Sequence, residues 1–242
     1  MKITIVTLFP HMFDGFLSES IIKRTIEKGL VEFNIVDLRE YSLDKHHHVD
    51  DTPYGGGAGM VLKCDIMDRC LNAVKSQNSH ICLMTPQGHP FKQSDAIRLS
   101  KTEDLILVCG HYEGFDERIR GFVDEEISIG DFVLTGGELP SMVISDSITR
   151  LLDGAILKDS HEGDSYSNGL LEYPQYTRPA IYNGIEVPFV LQNGNHKEIA
   201  KWRQKESLRR TYLRRPDLLT NYPLTKDDYK LLDEIKDEEG IE

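Results

Sequence analysis

Between Leu105 and Pro140 the chain carries the residues best suited to holding a small molecule. The apolar run Leu105-Ile-Leu-Val-Cys109 empties into Gly110-His-Tyr-Glu-Gly114, the pattern of a buried strand ending in a tight loop. After the charged segment Asp116 to Glu126 comes Ile127-Ser-Ile-Gly-Asp-Phe-Val-Leu-Thr-Gly-Gly-Glu-Leu-Pro140. Here Gly130 interrupts an apolar alternation, and Gly136-Gly137 precede a helix start marked by Glu138 and Pro140. Glycine after a strand lets main-chain N–H and C=O groups come close to a ligand, because no side chain stands between. A third strand, His80-Ile-Cys-Leu-Met84, ends in a similar loop, Thr85-Pro-Gln-Gly88. In an open α/β sheet ligands bind beyond the carboxyl ends of the strands, so these three loops are expected to share one pocket.

Other groups with chemical potential read more plainly. His46-His-His48 suggests a metal, but no cysteine or spaced carboxylate completes a ligand set, and a solvated loop is the simpler reading. The run Pro53-Tyr-Gly-Gly-Gly-Ala-Gly59 is no phosphate loop: no Gly-Lys-Ser/Thr follows it, and a G-x-G-x-x-G started at Gly55 would need its third glycine where Met60 stands. Cys64, Cys70, Cys82 and Cys109 show no C-x-x-C spacing, which argues against zinc and against disulfides. From His196 to Arg215 there are eight Lys and Arg against two Glu, within a chain of net charge −12. Arg203, Arg210 and Arg214 share one helical stripe, with Trp202 and Tyr212 interleaved and Pro216 as the stop. Such a face suits a phosphate backbone. It equally suits a solvated helix that pairs with the acidic tail, Asp227 to Glu242.

The elements that carry these residues follow from periodicity. Lys2–Leu8 and Val31–Leu38 alternate as strands, and a helix after Phe9-Pro10 runs to Lys28 with Gly29 as its stop: a β-α-β start to a parallel sheet. Further helices are expected over Lys63–Gln77, Lys92–Ser100 and Glu138–Leu152. Arg150 falls on the polar side of the last, four residues after Asp146, where a surface ion pair is the plain expectation. Between them, Arg39 to Gly59 has no period, and a loop of that length in a compact domain is usually functional or disordered. From Asp153 to Gln175 the chain is rich in Gly, Ser, Asp and Asn and reads as a linker, on which Asp164 is by default solvated. The expected division is a domain at residues 1–160, a flexible linker at 161–175 and a smaller, mainly helical C-terminal domain at 176–242. At 39% hydrophobic and 28% charged, the 242 residues have the composition of an ordinary globule. No apolar run approaches a membrane span, and the Thr-rich Lys2–Leu8 does not read as a signal peptide, so a cytoplasmic protein is expected.

Taken in order, Asp51-x-Pro-Tyr-Gly-Gly-Gly-x-Gly-Met60, Pro86-Gln-Gly88, Cys109-Gly-His-Tyr-Glu-Gly114, Ile129-Gly-Asp-x-Val-Leu-Thr-Gly-Gly-Glu-Leu-Pro140, Asp164-Ser165, Tyr176-Thr-Arg-Pro179 and Gly194-Asn-His196 closely resemble the bacterial tRNA (guanine-N1)-methyltransferases. The likeness runs from Leu8-Phe-Pro10 to Arg215-Pro-Asp217. His111 stands where many members of that family carry arginine. The resemblance implies a SPOUT-type parallel sheet with a deep trefoil knot, and a homodimer with its active site at the subunit interface. It implies methyl transfer from S-adenosylmethionine to N1 of guanosine 37 in the anticodon stem-loop of tRNA, with Mg2+ as a requirement.

The same resemblance assigns Asp164 as general base and Arg150 as its catalytic companion. It gives the donor site to Met84, Thr85 and Pro86; to Gly110, Tyr112 and Glu113; to Ile129, Gly130, Asp131, Phe132, Val133 and Leu134; and to Gly136, Gly137 and Pro140. For RNA it points to Ser165, Lys201, Arg203, Arg209, Arg210 and Arg214. Two rival readings stand beside it: a dinucleotide-dependent oxidoreductase, which lacks a glycine fingerprint where Phe9-Pro10-His11 follows strand one, and a non-catalytic RNA-binding module with a vestigial pocket. Thermal stabilisation by S-adenosylmethionine, by NAD or by neither separates the three.

Overall fold

The computed structural model describes residues 1–156 and 163–241, and the chain divides into two compact units, Met1–Leu157 and Lys158–Glu242. The first is an α/β unit around a five-stranded sheet. Its strands are β1 (Lys2–Thr7), β2 (Glu32–Asp37), β5 (Ser79–Pro90), β6 (Asp104–Val108) and β7 (Glu125–Ser128), in the order β2-β1-β6-β5-β7, all parallel. A short antiparallel pair, β3 (Asp50–Asp51) and β4 (Val61–Leu62), brackets the glycine-rich stretch between them.

The central strands have no polar side to show because helices cover both faces. In β6, Leu105 and Leu107 point into one core, with Ile3, Ile5, Cys82, Met84 and Ile127, while Ile106 and Val108 point into the other, with Val6, Val36, Ile81 and Leu83. Helix α3 (Cys64–Val74) closes the second core through Ile66, Met67, Cys70 and Leu71; helix α5 (Glu138–Thr149) closes the first through Ile144 and Ile148. Each fully buried Leu or Ile contributes about 1.5–3 kcal/mol, so the strand positions are strongly fixed. Helix α4 (Gln93–Leu99) buries Ala96 and Leu99, the latter in the first core.

The N-terminal helix differs from the sequence expectation. It breaks into a 3-10 turn at Pro10–Phe13, α1 (Asp14–Ser18) and α2 (Ser20–Glu27), with Ser20 at φ 54°. Phe13, Phe16 and Leu17 define one apolar stripe, whereas Ile22 and Ile26 lie out of phase with it. The break re-aims the second half so that Ile26 reaches the core shared by Phe13, Phe16 and Leu17. Gly29 ends α2 at φ 69°, in the left-handed region open to glycine.

Strand β5 also runs longer than its apolar core suggests. It pairs Met84 with Ile127, loops out through Thr85-Pro-Gln-Gly88, then pairs His89 with Ile127 again and Pro90 with Ser128. Gly88 is obligatory there: a side chain would overlap the main chain of Glu126 and Ile127.

The second unit is built on two helices, α6 (His196–Arg214) and α7 (Lys226–Glu239), with a small hairpin β8–β9 (Ile181–Tyr182, Ile185–Glu186). Its core is Leu170, Leu208, Leu231, Leu232 and Ile235. Asn195 caps α6. Thr225 and Asp228 form a reciprocal capping box on α7, and Gly240 closes it at φ 66°. Of the stretch that composition marks as a linker, residues 157–162 lie outside the described residues. Residues 163–175 are held within this unit: Leu170 is buried in its core, Tyr166 N donates to Leu170 O at 2.7 Å, and Ser165 Oγ accepts from Glu172 N at 3.0 Å.

Candidate active site

Because the sheet is parallel, the excursion Thr85–Gly88 within β5 and the loops after β6 and β7 open on one edge. They enclose a cavity of about 410 Å3, lined by Met84–Gln87, Gly110–Phe115, Ile127–Gly130, Phe132–Gly137 and Pro140, with Glu117 and Arg120. Every residue expected at the donor site lines this cavity except Asp131, which is exposed beside it. Phe115, Glu117 and Arg120, which also line the cavity, lie outside the three loops that the sequence marks.

Glycine shapes the wall by close approach. A Cβ on Gly137 would come within 2.7 Å of Cys109 Cα, and Gly137 N donates to Gly110 O at 2.9 Å, so two of the loops touch main chain to main chain. A Cβ on Gly110 would overlap the Phe115 ring. The cavity mouth carries Phe132 and Val133, the latter 86% exposed, apolar side chains with no core to enter. Single exposed apolar residues are common, but two on the rim of a cavity supply a surface for a flat or aliphatic ligand.

A buried hydrogen-bond chain holds these loops in place. Glu138, in the first turn of α5, is 1% exposed and accepts from Thr7 Oγ1 at 2.6 Å and from His111 Nε2 at 2.6 Å. A carboxylate at a helix N-terminus is favoured by the helix dipole, and since it only accepts, His111 presents its Nε2–H to it. Thr7 Oγ1 in turn accepts from Phe9 N at 2.9 Å, and the Phe9 ring meets the His111 ring edge-on at 4.6 Å. Gly136 lies so close to His111 that a Cβ would overlap the imidazole. The next residue, Tyr112, takes φ 61°, a conformation that costs a non-glycine residue roughly 1–2 kcal/mol and that only a well-anchored loop sustains. The chain from the end of β1 through Glu138 to His111 is that anchor.

The long aperiodic loop, for which length left function or disorder open, leads into residues that bond the same site. Glu113 N donates to Met60 O at 3.0 Å, Leu62 N to Gly114 O at 3.0 Å, and Gly59 leaves no room for a side chain against Glu113. Within that loop His47 Nδ1 meets Arg39 O at 3.0 Å and His48 pairs with Asp44.

Among the described residues, one cluster has metal-ligand types: His80, Cys82 and Glu125, on β5 and β7. Arg98 already bonds both oxygens of Glu125, at 3.1 and 2.8 Å, and His80 Nε2 lies 2.6 Å from one of them. Burial pushes the Glu125 carboxyl up, yet the hydrogen bonds from Arg98, His80 and Cys82 outweigh it and hold it below the usual range; burial pushes the Cys82 thiol up. A cationic guanidinium with soft donors does not fit Mg2+, which takes an octahedron of oxygens.

The remaining expected residues fall in two places. Arg150 follows α5, half-buried, with its N–H on Asp146 O at 3.1 Å. Asp164 and Ser165 belong to the second unit, half-buried, and Asp164 O accepts from Ser167 N at 3.1 Å. Helix α6 divides its charge between faces. Lys205 bonds Glu234 at 2.7 Å and Glu238 at 2.8 Å, while Arg209 bonds Glu206, Glu238 and Glu239. Arg203, Arg210 and Arg214 project on the opposite side of the wheel, where Arg203 stacks over Tyr173 at 4.7 Å. Lys201 is exposed near the acid-paired side and acts electrostatically on Glu234. Pairing with the acidic tail therefore describes one face of this helix, and the arginine stripe lies on the other.

Comparison with known proteins places this geometry. A family model described as tRNA (Guanine-1)-methyltransferase TrmD matches residues 1–221. The chain is 58% identical to a tRNA (guanine-N(1)-)-methyltransferase of Fusobacterium nucleatum over 99% of its own length and 100% of the relative's. It is 56% identical to one of Lacticaseibacillus paracasei over 99% and 95%, and 55% identical to one of Bacillus subtilis over 98% and 100%.

Proposed function

This chain belongs to the tRNA (guanine-1)-methyltransferase family, and from that premise we propose that it transfers a methyl group from S-adenosylmethionine to N1 of guanosine 37 in the anticodon loop of tRNA. The observation that carries the donor assignment is the cavity at the carboxyl ends of β5, β6 and β7, walled by main chain where Gly110, Gly136 and Gly137 admit no side chain. Such a wall offers N–H and C=O groups to the polar ends of the donor and Phe132, Val133 and Leu134 to its flat ring. When bound, S-adenosylmethionine supplies a methyl carbon already activated by a positive sulfur.

What the chain must then do is unmask the acceptor and align it. Guanine N1 carries a proton and is a poor nucleophile until the proton leaves. Asp164 takes it, as a carboxylate within hydrogen-bond reach of N1. The negative charge that develops on guanine O6 is met by the guanidinium of Arg150. Holding the ring nitrogen in line with the methyl group supplies the remainder as lost orientational freedom.

We further infer that the sheet edge closes as a SPOUT trefoil knot and that the protein works as a homodimer with its site at the subunit interface. Leu139 and Val143 support the dimer: they lie exposed, at 49% and 47%, one turn apart on α5, on an apolar stripe suited to a second copy. Mg2+, which the family resemblance implies, is given no protein ligands here; RNA phosphates offer the oxygen set it prefers. No helix among the described residues is long and apolar enough to cross a membrane, in keeping with a cytoplasmic place of work. Incubating bulk tRNA with the protein and labelled S-adenosylmethionine, then digesting the RNA for mass spectrometry, is expected to yield labelled 1-methylguanosine at position 37. Its absence, or label on another nucleoside, overturns the reading.

A further inference from the structure

The second unit contains its own cavity, about 260 Å3, between residues 163–173 and the first half of α6. It is smaller than the roughly 300–1,000 Å3 of sites that take a whole small-molecule ligand, and its lining is not that of a packing defect. Tyr173 and Arg203 both line it, with the guanidinium carbon over the ring, 4.7 Å from its centroid. Gln204 is oriented from behind: its Nε2 donates to Asp228 Oδ1 at 2.8 Å, and Asp228 is 5% exposed and itself held by Thr225 Oγ1 at 2.7 Å and Thr225 N at 2.9 Å. A carboxylate accepts only, so the amide must turn its NH2 to Asp228, and Gln204 is left to offer its carbonyl oxygen to the cavity it lines. Asn168 is fixed the other way round. Its Oδ1 accepts from Leu170 N at 3.0 Å, which leaves its NH2 as the donor.

We propose that this cavity seats one unpaired nucleobase of the tRNA, other than the guanine that is methylated, and that it prefers a base with a lactam edge, guanine or uracil. The inference rests on the reading of the protein as a tRNA methyltransferase. A lactam edge places an N–H donor beside a C=O acceptor, the complement of the Gln204 carbonyl and the Asn168 amide. Unpaired bases in RNA are held by stacking on aromatic rings and guanidinium planes, the two groups that Tyr173 and Arg203 bring to the lining. The neighbouring side chains on that face of α6, Arg210 and Arg214, suit the phosphates that flank such a base. Asp164, the proposed base, belongs to the same short segment that forms one wall, so filling the cavity would fix the segment that carries it. The cavity is thus a second reading head for the substrate, set in side chains where the first is set in main chain.

The test uses full-length protein and a series of anticodon stem-loops, each with one abasic site at an unpaired position other than the methylated guanosine, and measures dissociation constants at fixed salt. With the wild-type protein one abasic position is expected to weaken binding about tenfold. With Tyr173→Ala the intact RNA binds about tenfold more weakly and that same abasic substitution costs nothing further. Arg203→Lys keeps the charge and loses the plane, and is expected to behave like Tyr173→Ala; its site is exposed, so it remains informative if Tyr173→Ala does not fold. Equal losses in wild type and variant at every abasic position overturn the proposal. So does an Arg203→Lys protein that binds as the wild type does, since that makes Arg203 a phosphate contact. Guanosine or uridine monophosphate that saturates the cavity while leaving RNA affinity untouched would assign it to a free nucleotide and overturn it too. Failure of the wild type to methylate intact tRNA would strike the functional reading, whereas these binding constants would still decide the pocket.

Discussion

The two units hold their candidate ligands by opposite means. In the first, the wall is main chain: Gly137 lies against Cys109 and Gly110, and the loops are tied by Glu138 to Thr7 and His111. In the second, the surface is side chain: an arginine stripe along one helix, with Tyr173 and Gln204 beside it. A main-chain wall is specific because its groups cannot move, and it is intolerant for the same reason. A side-chain surface is adjustable, and its contributions are spread over many residues.

The sharpest way to break this contrast is at Asp164, the residue of the second unit for which the role of general base is proposed. Asp164→Ala is expected to abolish methyl transfer while calorimetry still detects S-adenosylmethionine binding; retained turnover would remove Asp164 from its role. Gly137→Ala comes next. A methyl group 2.7 Å from Cys109 Cα forces main chain apart, so donor affinity is expected to fall at least a hundredfold, with overpacking costing about 1–3 kcal/mol of stability. Thermal melts with and without S-adenosylmethionine read both, and an unchanged ligand-induced shift would show that the two loops need not touch.

His111→Ala removes the last link of the buried chain without adding atoms. It is expected to raise the KM for the donor about tenfold with little change in the KM for tRNA, and His111→Gln, which returns an N–H to Glu138, is expected to recover most of the loss. Failure of Gln to rescue would mean that the imidazole itself, and not its anchorage, matters. On the other unit, Arg210→Ala or Arg214→Ala is expected to weaken RNA binding several-fold and lower the slope of log K against log salt by about one each. The smallest effect belongs to the acid-paired face: Glu238→Gln is expected to change stability by less than about 1 kcal/mol, as exposed ion pairs do, and to leave RNA affinity alone.

The main-chain half was the more legible in sequence, because glycine positions are visible in a string of letters. The turns at Gly110, Gly130 and Gly136-Gly137 mark a pocket in the sequence itself, and the unbroken apolar run Leu105–Cys109 marks a strand buried on both faces. What joins the loops was not legible. Thr7 and Glu138 are 131 positions apart, and nothing local distinguishes this Glu from any acidic residue in a first helical turn. The looping-out of Thr85–Gly88 was hidden as well, since register is a property of two strands and the apolar pattern describes only one. In the second unit the helical wheel separates the arginine stripe and the charge pattern names the acidic tail as a partner, but which side chains meet those acids, and that Tyr173 lies against Arg203, required the fold. Leu170 was hidden by its neighbours: the pair Leu170-Leu171, after Ser, Asn and Gly, is too short to register as core, although Leu170 is 1% exposed.

The double pairing of Ile127, first with Met84 and then with His89, makes the four intervening residues a link of fixed circumference. The side chains of Thr85, Pro86 and Gln87 can vary within what the cavity allows, but Gly88 and the number of residues cannot. Removing one residue between Met84 and His89 would leave too little chain to satisfy both registrations, so one hydrogen-bonded ladder or the other must be given up. This segment measures the donor site by counting, and an enzyme that has lost one letter there would have a differently sized room even with every other wall intact.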